Sequence, residues 1–197
     1  MRLFVALDID PEIRQRIGEF RDKIRPYAPG IRWVGLETFH ITLQFIGETN
    51  QLAEVRSALQ QVRGRAIHLA FRGTGFFPNA KAPRVFWVGI DSDEHLQQLA
   101  DAVAKALQPL GFKKEPGPFK PHLTLARSGS GRPRPKRGEQ SAGGLRVVAI
   151  KLDGLEPEEF GWMTAREFCL YESRLTPSGA KYTKLTQYPL DNQRTAS

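Results

Sequence analysis

Apolar and polar positions alternate between two periods along this chain, and the switches mark its elements. Residues 2–9 form a short apolar run that reaches Asp8 and Asp10 at once. It is too short for a signal peptide and suits a first strand. Ile13, Ile17, Phe20 and Ile24 then recur at helical spacing. Pro11 stands at the start of that helix with Asp10 as its N-cap, and the helix ends before residues 26–29. Residues 31–34 read as a short extended segment, and 40–46 as a strand closed by Gly47. A second helix carries Leu52, Val55, Leu59 and Val62, with Asn50 as its cap. Strands follow at 67–71 and 85–90, separated by a turn region rich in Gly and Pro at 73–83. A third helix spans 93–107, with Leu96, Leu99, Val103 and Leu107 on one side. The remaining strands fall at 122–126, 147–152 and 168–171, with an edge strand at 182–185. Helices follow strands in each half, which predicts an α+β fold with antiparallel or mixed sheet in two related lobes.

Two of these strands open on the same phrase, His40-Ile41-Thr42-Leu43 and His122-Leu123-Thr124-Leu125. Side chains alternate faces along a strand, so each His shares a face with its Thr, and the aliphatic residues take the other face. Each strand would bury its aliphatic side and present an imidazole and a hydroxyl on its open side. Imidazole titrates near neutrality, so one of the pair can accept a proton while the other gives one. Threonine hydroxyls can donate to the oxygens of a charged centre held between them. A phosphodiester attacked in line is such a centre, and this chemistry asks for no metal and no cofactor.

The 197 residues carry 29 Lys and Arg against 21 Asp and Glu, a net charge of +8. That balance favours a polyanionic partner, and beside a phosphodiester site it points to RNA or a nucleotide. No stretch has the length of a membrane helix, and a cytoplasmic, monomeric protein is the default expectation. Cys169 stands alone in an apolar run, which excludes an internal disulfide and suits an inert core thiol. No Cys, His or carboxylate cluster has the sequence spacing of a metal site. His68 and His95 lack the second-position threonine and read as surface or capping residues. Residues 128–144 form a polar loop with Arg132, Arg134, Lys136 and Arg137, either an RNA-contacting arm or a solvated connector. Residues 191–197 read as a frayed tail. Gln44 shares the His40 face by parity and is a candidate substrate contact. Arg127 could neutralise phosphate, but strict alternation turns it away from His122 unless the strand is bulged. Trp33, Trp87 and Tyr182 could stack on bases, with core packing the competing role.

The residues resemble a family. Arg2-Leu3-Phe4-Val5-Ala6, Trp33-Val34, His40 through Gly47, Arg84 through Gly89, Phe119 through Arg127, Ser173-Arg174-Leu175, Gly179 and Tyr182 together resemble the two-histidine phosphoesterase superfamily. Within it they are most similar to the RNA 2′,3′-cyclic phosphodiesterase branch, historically called 2′-5′ RNA ligase. The departures are Gln44, where a basic residue is usual, and Thr38-Phe39 in place of Asn-Leu. The resemblance implies a bilobal α+β fold, with two antiparallel sheets facing each other across a central cleft. It implies metal-independent hydrolysis of terminal 2′,3′-cyclic phosphates of RNA or oligonucleotides to 2′-phosphates. In that chemistry His40 is the proton donor, His122 the proton acceptor, and Thr42 and Thr124 hold the phosphate. Alternatives are action on 2′-5′ oligonucleotides or nucleotide cyclic phosphates, a ligase activity, or a non-catalytic module that binds RNA ends.

Overall fold

The computed structural model describes residues 1–128, 143–176 and 179–191. Among these, nine strands and four helices follow in chain order: β1 (Arg2–Asp8), α1 (Pro11–Ile24), β2 (Arg32–Trp33), β3 (His40–Glu48), α2 (Leu52–Gln60), β4 (Ile67–Phe77), β5 (Val85–Ser92), α3 (Glu94–Leu107), β6 (His122–Arg127), α4 (Gly143–Leu152), β7 (Glu159–Ala165), β8 (Glu167–Thr176) and β9 (Gly179–Pro189). The strands pair in the order β7-β4-β5-β6-β3-β1-β8-β9, and β2 adds to β6. Every pairing between these strands is antiparallel. The fold is α+β, as the periodicity predicts.

The two motif strands meet in the middle of this order. β3 and β6 are joined by one residue pair, Ile41 with Leu123. β8 and β9, in contrast, pair along their whole length, from Glu167–Pro189 to Thr176–Gly179. The sheet is thus two four-stranded halves sewn at a single stitch, rather than two separate sheets. Each motif strand is the inner strand of its half. β2 takes up the rest of β6's free edge, pairing Arg32 with Arg127 and Trp33 with Ala126.

One face of the sheet carries the core. Leu3, Val5 and Leu7 of β1, Ile41 and Leu43 of β3, and Leu123 and Leu125 of β6 are all buried in one cluster. Ile13, Ile17 and Phe20 of α1 and Leu96, Leu99, Val103 and Leu107 of α3 close over it. Ile17 and Leu107 are fully buried. Truncating either to Ala would cost about 2–5 kcal/mol, from lost transfer free energy and the cavity left behind. The opposite face of β3 and β6 stays open to the site.

Several elements differ from the sequence expectations. Residues 147–152 are helical, within α4, not a strand. Their β-branched residues favour extension locally. Burial of Leu145, Val148 and Ala149 at spacings of three and four decides for helix, while Ile150 is exposed. The helix begins against Ala28 and Ile31, and a Cβ at Gly144 would lie 2.8 Å from Ile31. Of the loop expected at 128–144, Gly143 and Gly144 belong to α4, and residues 129–142 lie outside the described residues. The turn region at 73–83 is shorter than read, because β4 runs on to Phe77. β7 escaped the pattern because the buried side chains Phe160, Met163 and Ala165 lose strict alternation past Gly161. Neither Asp10 nor Asn50 caps by its side chain. Asp93 does, accepting from the His95 amide at 3.0 Å. Asp191, expected to fray, is tied down by its amide to Gly64 and its carbonyl to Ala66. Residues 192–197 lie outside the described residues.

Candidate active site

His40 and His122 open their strands at the same point, immediately before the stitch. Each ring is held from behind by the backbone two residues earlier. His40 Nδ1 lies 2.6 Å from the Thr38 carbonyl oxygen, and His122 Nδ1 lies 2.8 Å from that of Lys120. A carbonyl oxygen only accepts, so each Nδ1 carries a proton and donates it. In the neutral form Nε2 is then the basic nitrogen, with its lone pair free for the cleft.

Aromatic rings wall each imidazole. Phe4 lies 4.9 Å and Tyr182 5.2 Å from the His40 ring, centroid to centroid. Phe77 lies 5.0 Å and Trp87 6.4 Å from that of His122. Trp87 fits there because Gly75 faces it on β4. A Cβ at Gly75 would stand 2.2 Å from the indole.

A cavity of about 60 Å³ lies between the two motifs, lined by both histidines, both threonines, Val34, Thr38, Phe45, Arg127 and Tyr182. Thr42 and Thr124 thus share the space with the imidazoles, as alternation requires. Beyond the threonines the alternation breaks in both strands. Against β1, Ala6 pairs with Thr42 and Val5 with Gln44, so Leu43 is an extra residue. Against β5, Trp87 pairs with Thr124 and Phe86 with Ala126, so Leu125 is extra. These matched bulges flip the parity of Gln44 and Phe45 on β3 and of Ala126 and Arg127 on β6.

The flip turns Gln44 away from the cleft and meets the condition, a bulge, under which Arg127 faces it. Gln44 does not reach the cleft. It is buried, and its amide donates to the carbonyls of Lys113 at 2.9 Å and Phe45 at 3.0 Å. Phe45 takes its place at the cavity. On the other strand Arg127 turns to the same face as His122 and lines the cavity, which strict alternation forbids. Phe45 and Arg127 occupy equivalent positions, five residues after their histidines. The signal for Arg127 in the sequence was its charge; Phe45 carried none.

Electrostatics inside the cleft favour neutral imidazoles. Burial holds the pKa of His40 below its ordinary value, and the Arg127 charge adds to this against the donated bond to Thr38. Burial lowers His122 as well, again with Arg127 opposing the hydrogen bond to Lys120. Among the described residues that line the cavity, Arg127 is accompanied by no carboxylate.

The other singled-out residues fall elsewhere. His68 sits 3.0 Å from the Thr164 hydroxyl on the outer part of the sheet, and His95 lies at the start of α3 with Asp93. Trp33 packs edge-on against Phe86 at 6.2 Å. Tyr182, weighed as core packing or base stacking, is half-buried and lines the cavity. Cys169 is buried, and burial pushes its thiol up to about 12. Among the described residues the fold gathers one ligand-like cluster that sequence spacing does not foretell. Donor atoms of Asp8, Glu167 and Cys169 lie within 4.8 Å of one another. A cation already serves them: Lys184 Nζ stands 2.5 Å from Asp8 and 3.8 Å from Glu167. With a protonated thiol and a resident ammonium, the cluster does not fit a metal ion.

Comparison with known proteins places the chain in a family. The model of the 2′-5′ RNA ligase superfamily matches residues 9–160, and the chain belongs to that family. It is 36% identical over 187 residues to an RNA 2′,3′-cyclic phosphodiesterase of Archaeoglobus fulgidus, covering 94% of this chain and 98% of that one. It is 33% identical over 203 residues to one of Thermus thermophilus, covering 96% and 90%. Among solved structures it is similar to TT0787 of Thermus thermophilus, with a TM-score of 0.77 and 28% identity over 98% of this chain and 100% of that one. It is also similar to E. coli LigT complexed with 3′-AMP, with a TM-score of 0.74 and 27% identity over 96% and 97%.

Proposed function

We propose that this protein hydrolyses RNA ends bearing a 2′,3′-cyclic phosphate to 2′-phosphomonoesters, using the two histidines as base and acid. The observation that carries the reading is the matched pair of imidazoles. Both are held through Nδ1 by a backbone carbonyl, and both line one cavity with two hydroxyls and an arginine. The names of the curated relatives support the substrate class.

In this reading Arg127 and the hydroxyls of Thr42 and Thr124 bind the non-bridging oxygens of the cyclic phosphate. His122 Nε2 takes a proton from water as the oxygen attacks phosphorus. His40 gives its proton to the departing ribose oxygen on the far side, so the P–O bond breaks in line. Both imidazoles are held neutral before substrate binds. The anionic phosphate offsets the Arg127 charge and raises the pKa of His40, which takes up a proton from solvent on Nε2 as substrate binds and so has one to give to the leaving oxygen. Acid, base and charge stabilisation all come from side chains, and the scheme routes no step through a metal.

The test is to incubate the protein, in excess chelator, with RNA ending in a 2′,3′-cyclic phosphate and to identify the product. A 2′-phosphate end is expected. No turnover, a 3′-phosphate end, or turnover only after a divalent ion is added back would overturn the reading.

A further inference from the structure

Beside the phosphate cavity lies a larger one of about 240 Å³, and the two share Thr38, His40 and Tyr182. Its walls are of another kind. Phe4 stacks on Tyr171 at 5.2 Å and meets Tyr182 edge-on at 4.9 Å, giving the chamber an aromatic side. Its acidic and basic side chains besides His40 are Asp8, Arg14 and Glu37. Asp8 is already engaged, accepting from the Tyr171 hydroxyl and paired with Lys184. Arg14 spends one nitrogen on the Ile9 carbonyl at 3.2 Å. Glu37 makes no hydrogen bond or ion pair with the described residues. Its carboxylate lies over Gly35, where a Cβ would come within 2.2 Å of it.

With Asp8 already paired and Arg14 also in the lining, the open group of this chamber is the Glu37 carboxylate, which suits a neutral, flat ligand with N–H donors better than a further phosphate. Its position fits the same conclusion. In the proposed reaction the ribose oxygen leaves on the His40 side, and this chamber opens on that side. We infer that it receives the terminal nucleoside of the RNA, with Glu37 reading the base edge and favouring guanine, an inference that rests on the phosphodiesterase reading. Guanine presents N1–H and the N2 amino group side by side, matched to the two oxygens of one carboxylate. Adenine and cytosine offer one amino group there, and uracil one imide N–H. The tyrosine rings supply stacking, which tolerates any base. The carboxylate supplies the preference, and a good bidentate contact to a base is worth on the order of tenfold in discrimination.

The experiment measures two quantities for the wild type and Glu37→Gln. One is kcat/KM on the four nucleoside 2′,3′-cyclic phosphates. The other is equilibrium binding of the four nucleoside 2′-monophosphates. The wild type should favour guanosine on the order of tenfold in both. Glu37→Gln should remove that preference, weakening guanosine on the order of tenfold and the other three bases less, since each offers the carboxylate only one donor. Equal binding of all four bases, or a guanine preference that survives Glu37→Gln, overturns the inference. Turnover without base preference contradicts the chamber's role and spares the phosphodiesterase reading. Base preference in binding without turnover of any substrate does the reverse.

Discussion

Thr42 and Thr124 differ from the neighbouring polar residues in what they are free to do. Each lines the cavity beside an imidazole, and their hydroxyls are the uncharged donors that the motif brings to it. Replacing either with Ala should leave the fold intact and lower kcat by about 10²–10³-fold, the usual cost of one transition-state donor. Steady-state kinetics with circular dichroism on Thr42→Ala and Thr124→Ala checks this, and wild-type rates would assign the hydroxyls to structure. Gln44 supplies the contrast at the same scale. Its buried amide serves two backbone carbonyls, so Gln44→Ala should weaken folding by about 1–3 kcal/mol through an unsatisfied buried group. It should leave KM unchanged in kinetics below the melting transition.

The matched bulges at Leu43 and Leu125 are the devices that build the site from two ordinary strands. They put Phe45 and Arg127 where an unbroken strand would put their predecessors. The glycine on β4 is a third such device. Gly75→Val would force a Cβ into Trp87, which walls His122. Overpacking of this kind costs about 1–3 kcal/mol. A thermal melt should show the loss, and kcat should fall with it because the His122 ring loses its support. An unchanged kcat would mean the wall does not orient the imidazole.

The same elements show what the sequence could and could not say. α1, α3, β3 and β6 are legible because one apolar face sets their period and its burial decides the element, and β1 because its short apolar run is buried throughout. The His and Thr pairs were legible for the same reason, since they precede any irregularity. The fates of Gln44 and Arg127 were not, because a bulge is set by the register against β1 and β5, partners far along the chain. α4 was misread because local β-branching spoke against a helix that its buried neighbours impose. The single stitch between the halves depends on which strands meet, and no local pattern encodes it.

At the scale of the whole molecule, two imidazoles are kept neutral inside a protein of net charge +8. The unfolded chain binds a proton on each near pH 6.5, while the folded protein resists it until lower pH. Their contribution to stability is thus full above pH 6.5 and lost as pH falls through that value toward the lowered folded pKa values. Denaturant melts between pH 7.5 and 5 should show this decline, and replacing both histidines with Gln should flatten it. An equal decline in that double variant would place its origin elsewhere.

The fold joins two half-sheets so that one histidine from each reaches a shared cleft, and the proposed division of labour follows from that geometry. The most direct measurement compares His40→Ala and His122→Ala on two substrates, a cyclic phosphate with its ribose leaving group and a diester with an activated aryl leaving group. An aryl oxide leaves without a proton. His40→Ala should therefore recover much of its activity on the aryl diester, while His122→Ala should remain crippled on both because water still needs its base. Rescue of His122→Ala instead would reverse the roles, and wild-type rates in both variants would contradict the two-histidine mechanism itself.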